Sequence, residues 1–169
     1  PRTNESIPNA ALGTLKSSLN ANNLTCNTID TNVELYAYLK DDYHEAYKVL
    51  DQYFQADLRY ITQENFNIDE FLYKRFELPQ EILDVYTKFI LSHAKKIINY
   101  NTEWVGISLL SVNSVVACVD LCQVLTDCKI VLGGPGVSTF GIMGKANFGQ
   151  FMVDNNLADG YICLLYTSD

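Results

Sequence analysis

The stretch Trp104–Ser138, WVGISLLSVNSVVACVDLCQVLTDCKIVLGGPGVS, reads as a strand, a small-residue turn, a helix, a second strand and a glycine turn. Its first strand, Trp104-Val-Gly-Ile-Ser108, ends among the hydroxyl-bearing residues Ser108 and Ser111, and its second, Lys129-Ile-Val-Leu132, ends in Gly133-Gly134-Pro135. Both runs are short, apolar and bounded by turn residues, as strands buried in a parallel sheet are. In an open α/β sheet the ligand sits outside the carboxyl ends of the strands. Two neighbouring strand ends that carry serine and paired glycines therefore predict a ligand whose polar tail comes close to the backbone.

The pattern extends outward on both sides. Downstream, Asn147 to Asn156 reads as a modest helix, and Asp159-Gly160-Tyr161-Ile162-Cys163 begins another strand. Upstream, Ala10 to Asn22 has Leu12, Leu15 and Leu19 at helical spacing, and Leu24-Thr-Cys-Asn-Thr-Ile29 follows as a short β-rich run ending at Asp30. Asn32 to Ile61 carries one apolar stripe from Tyr43 to Ile61, Ile68 to Phe76 predicts a shorter helix, and Pro79 opens a third. The stripe of that third helix is Ile82, Leu83, Tyr86, Phe89, Ile90, His93, Ile97 and Ile98. A helical block over roughly 32–100 is far longer than a plain crossover and reads as an insertion. The fold class is α/β, a Rossmann-like doubly wound, mainly parallel sheet with a helical insertion. Only the polar PRTNESIPN precedes the first helix, so the first strand of such a sheet is expected to be missing. The closing Leu164-Leu-Tyr-Thr-Ser-Asp169 departs from the pattern and resembles translated adapter sequence. The expected domain is 1–163, with 164–169 a non-native tail.

Composition narrows the classes. The chain has 169 residues, enough for one domain with a real core, and 48% of them are hydrophobic, which argues against disorder. A net charge of −8 makes nucleic acid an unfavourable partner, since phosphate binding wants a basic face. No apolar run is long enough to span a bilayer and no signal peptide is visible, so a cytoplasmic protein is expected. The five cysteines follow no disulfide-scaffold spacing. Cys118 and Cys122 share a helix face, but no further ligands follow at useful spacing, so packing rather than metal binding is expected.

Catalytic groups are scarce. His93 lies on an apolar stripe and reads as a core histidine, while His44 sits beside Asp41, Asp42 and Glu45 on a solvated face. No Ser/His/Asp order, H-E-x-x-H or Walker loop is present, and Gly133-Gly-Pro-Gly136 is not a dinucleotide fingerprint. What remains is steric and hydrogen-bonding chemistry: glycines for close approach, serine hydroxyls, and apolar walls from Val105, Ile107, Leu109 and Leu110. The plain structural alternative is that Gly-Gly-Pro only ends a strand and Ser108 caps a helix.

A set of segments then occurs in order: Pro8-Asn-Ala-Ala-Leu-Gly13, Thr28-Ile-Asp30-Thr-Asn32, Val105-Gly-Ile-Ser108, Ile130-Val-Leu-Gly-Gly-Pro135 and Ala158-Asp-Gly-Tyr-Ile162. The series resembles the N-terminal cobalamin-binding domain of cobalamin-dependent radical S-adenosylmethionine enzymes, over nearly the whole chain. The resemblance implies a Rossmann-like sheet that positions cobalamin against a downstream radical barrel. That barrel would hold the [4Fe–4S] cluster and S-adenosylmethionine, and many family members are methyltransferases. Carried over by position, Ser108, Leu109, Ser111, Gly133, Gly134 and Pro135 would flank the nucleotide tail of the corrinoid, with Asp30 and Asn32 near its other edge. The D-x-H-x-x-G motif is absent, which implies a corrinoid without a protein histidine ligand. The C-x-x-x-C-x-x-C cluster motif is also absent, so no metal is assigned to these residues and no catalytic residue is expected among them. On this reading Gly134→Val abolishes corrinoid retention and leaves the fold largely intact. The alternative is a noncatalytic Rossmann-like module that binds a small ligand or a protein, with the eleven tyrosines as contact surface.

Overall fold

The computed structural model describes residues 10–55, 78–110, 114–138 and 147–162, leaving aside the side chains of 41–42 and 51–55. Among these are six α-helices and one three-stranded parallel sheet. The chain divides into two compact units, Pro1–Lys48 and Val49–Asp169.

The first unit is helical. Helix α1 (Ala10–Ala21) forms where the leucine spacing predicts it, yet none of its residues is buried. It stops in a Schellman turn: Asn23 takes the left-handed conformation (φ 59°), Asn23 N–H donates to the Asn20 carbonyl, and Leu24 N–H reaches the Leu19 carbonyl at 3.0 Å. The expected strand at 24–29 does not form. A strand needs a partner ladder, and this segment pairs with nothing among the described residues, leaving Leu24 exposed. Asp30 instead caps helix α2 (Thr31–Asp42), its carboxylate accepting from Val33 N–H at 3.2 Å.

The single long helix expected from Asn32 is broken at Tyr43 (φ −139°, ψ 44°), where α2 ends and α3 (His44–Gln55) begins. Eleven residues of straight helix advance about 16 Å, yet the rings of Tyr36 and Tyr47 meet edge to face at 5.7 Å. Tyr38 and Tyr43 pack at 5.3 Å across the same break. The two helices thus fold back on one another, with aromatic pairing holding the bend. The expected helix at 68–76 and the terminal 164–169 lie outside the described residues.

The second unit carries the sheet. Helix α4 (Gln80–Ile98) starts after Pro79 and buries Tyr86, Phe89, Ile90, His93, Ala94 and Ile97, most of the predicted stripe. Strand β1 (Trp104–Ser108), helix α5 (Val115–Val124) and strand β2 (Lys129–Gly133) follow in the predicted order. Helix α6 (Phe148–Asp154) and the short strand β3 (Gly160–Tyr161) complete it. The sheet order is β1-β2-β3, all parallel, with Ser108 opposite Gly133 and Val131 opposite Gly160. This is a mixed α/β unit compatible with a Rossmann-like sheet. The reversal of strand order that makes a sheet doubly wound, and creates its switch point, is not present among the described residues.

Helix α5 is buried along almost its whole length, including Asp120. That carboxylate accepts a hydrogen bond of 2.7 Å from the Tyr86 hydroxyl and so ties α4 to α5. Asp159 has a similar role at the far edge of the sheet. Its N–H donates to the Ile130 carbonyl at 2.8 Å while its carboxylate takes the Ile130 N–H at 2.7 Å, extending a two-residue strand by one more rung.

Tyr86→Phe removes a donor from a buried carboxylate and is expected to cost about 1–3 kcal/mol. Urea unfolding checks this: the midpoint falls while the denaturant slope stays constant, and an unmoved midpoint contradicts the clasp.

Candidate functional site

The carboxyl ends of β1 and β2 lie side by side because the two strands are in register through Ser108 and Gly133. The chain after β1 turns inward. Leu109 is 1% exposed, its N–H donates to the Gly133 carbonyl at 2.8 Å, and its carbonyl accepts from Gly136 N–H at 2.9 Å. The two strand ends are therefore stitched to each other through the backbone of one leucine. Leu109 was expected to line a ligand. Its side chain is instead core, and the exposed apolar residue at this end is Leu110, at 47%.

This stitching explains two of the glycines. Gly134 has φ 88° and ψ 172°, a conformation essentially confined to glycine, and a side chain there would lie 2.5 Å from the Leu109 carbonyl oxygen. A side chain at Gly136 would press on the Leu109 Cβ at 2.9 Å. Both are required by the protein's own packing, so Gly134→Val disturbs the fold itself, contrary to the sequence-based expectation. Gly133 is different: a side chain there meets nothing within 4 Å. It is the one member of the Gly-Gly pair whose lack of a side chain the described neighbours do not demand.

Pro135 opens a single 3₁₀ turn, Pro135–Val137, where its missing N–H costs nothing, and its carbonyl accepts from the Ser138 N–H and hydroxyl. The turn buries Gly136 and Val137. Ser108 is half-buried and its hydroxyl engages no partner among the described residues. It is not a helix cap, since α5 begins after Ser114. Ser111 lies outside the described residues. Just after β3, Ile162 donates its N–H to the Leu132 carbonyl at 2.8 Å and is 65% exposed, a second apolar residue at this edge. Gly136 and Ile162 were not among the site candidates expected from the sequence. Asp30 and Asn32 belong to the first unit, where Asp30 is taken up in capping and Asn32 is exposed on the first turn of α2.

His93 is buried, with Nδ1 3.1 Å from the Phe89 carbonyl and its ring 4.0 Å from that of Phe89. The Cys118 and Cys122 sulfurs are 3.9 Å apart, and that contact together with burial pushes the Cys118 thiol well above its usual range. Burial and the neighbouring Asp127 also raise Cys128. Thiols held protonated are poor nucleophiles and poor metal ligands. No group of three or more His, Cys, Asp or Glu side chains suited to a metal occurs among the described residues. No described helix is long and apolar enough to cross a membrane.

Among the described residues the site is thus a strand-end edge with one open glycine, one unengaged hydroxyl and exposed apolar side chains. No family model matches the chain, and comparison with curated proteins and with solved structures finds no match.

Two expectations follow. Gly134→Ala is expected to destabilise the protein by about 1–3 kcal/mol, whereas Gly133→Ala stays within about 0.5 kcal/mol of the parent. Equal effects in urea unfolding would contradict the assignment of the two glycines. In native protein, Cys118 and Cys122 should resist alkylation by iodoacetamide at neutral pH and react fully after denaturation; peptide mass spectrometry reads the difference.

Proposed function

We propose that this chain is a cobalamin-binding module of a cobalamin-dependent radical S-adenosylmethionine enzyme, of which a methyltransferase is the leading type. The observation that carries the reading is local. The Val-Gly-Ile-Ser and Ile-Val-Leu-Gly-Gly-Pro segments of the resemblance form adjacent parallel strands, and their ends present an open Gly133 beside Ser108. The carboxyl edge of a parallel sheet is where such a ligand is received.

The residues present suit the tail side of a corrinoid. Gly133 allows the ligand to approach the backbone, Ser108 offers a hydroxyl, and Leu110 and Ile162 offer apolar surface. Leu109, Gly134 and Gly136 act one step back by holding the two strand ends level. Cobalamin would supply the cobalt-centred group-transfer chemistry, and the protein would bind and orient it. The [4Fe–4S] cluster and S-adenosylmethionine would belong to a radical barrel outside these 169 residues. The partners on this reading are the corrinoid and that barrel, with neither nucleic acid nor a membrane involved, in the cytoplasm.

One observation favours the second reading, a noncatalytic Rossmann-like module for a small ligand or protein. Leu109 accounts fully for Gly134 and Gly136, so most of the glycine turn has an internal purpose. The test is reconstitution of the parent protein with hydroxocobalamin, read by visible absorbance after gel filtration. Gly133→Phe is expected to lose the bound chromophore at unchanged melting temperature. Replacing His44 by Ala or His93 by Gln is expected to leave the spectrum of bound cobalamin unshifted. An unliganded parent protein overturns the cobalamin reading in favour of the second, and a spectral shift in either histidine variant overturns the absence of a histidine ligand.

A further inference from the structure

We draw no further inference here: the strongest candidate, the open face of the sheet on which Gly106, Val131 and Gly160 form one row with free space above both glycines, is a stripe of small residues and nothing in the structure shows what covers it.

Discussion

The backbone of Leu109 is the point on which the sheet unit turns. It is held between the Gly133 carbonyl and the Gly136 N–H, while its side chain is sunk in the core. Two backbone hydrogen bonds contribute only about 1 kcal/mol each, but their geometric effect is larger. They pull the turn after β1 against the turn after β2 so closely that only glycine fits at 134. The next residue, Leu110, is then turned outward, and Gly133 is left facing free space. The candidate site is what remains uncovered once this stitch is made.

The rest of the unit supports that arrangement from a distance. The Tyr86–Asp120 bond fixes α4 against α5, the helix joining β1 to β2. A carboxylate inside an apolar helix is costly unless paired, so the tyrosine makes Asp120 tolerable and also sets where α4 lies. On the other side, Gly149 lets α6 press onto the Tyr161 ring and Val137, linking β3 to the 3₁₀ turn. Asp159 adds the rung that a two-residue strand lacks. The side chains of the scaffold are therefore separate from the groups exposed at the candidate site, while Gly133 serves both, its carbonyl in the stitch and its open face at the edge.

Much of the sheet was legible in the sequence. Strands β1 and β2 appear where short apolar runs end in turn residues, and their parallel pairing follows from the helix between them. Helix α4 was legible through its stripe. Other features depend on contacts that periodicity does not encode. The leucine spacing of α1 predicts a helix but says nothing about burial: Leu15 and Leu19 are exposed and Leu12 is only half-buried. The run at 24–29 has strand-forming residues and no partner strand among the described residues. The break at Tyr43 carries no proline or glycine and arises from ring pairs eleven and five residues apart. Asp30 before Thr31-Asn32-Val33 is a capping signal visible in the sequence, and its carboxylate does cap α2. Gly133 and Gly134 are indistinguishable in sequence, because what separates them is the position of Leu109.

On the proposed function the carboxyl edge of β1 and β2 receives a corrinoid. Hydrogen–deuterium exchange of the parent protein, with and without hydroxocobalamin, tests it most directly. Cobalamin is expected to slow exchange in the peptides covering 106–112 and 131–136, and to leave the peptide covering 10–24 unchanged. Unaltered exchange at both strand ends in the presence of bound cobalamin would contradict it.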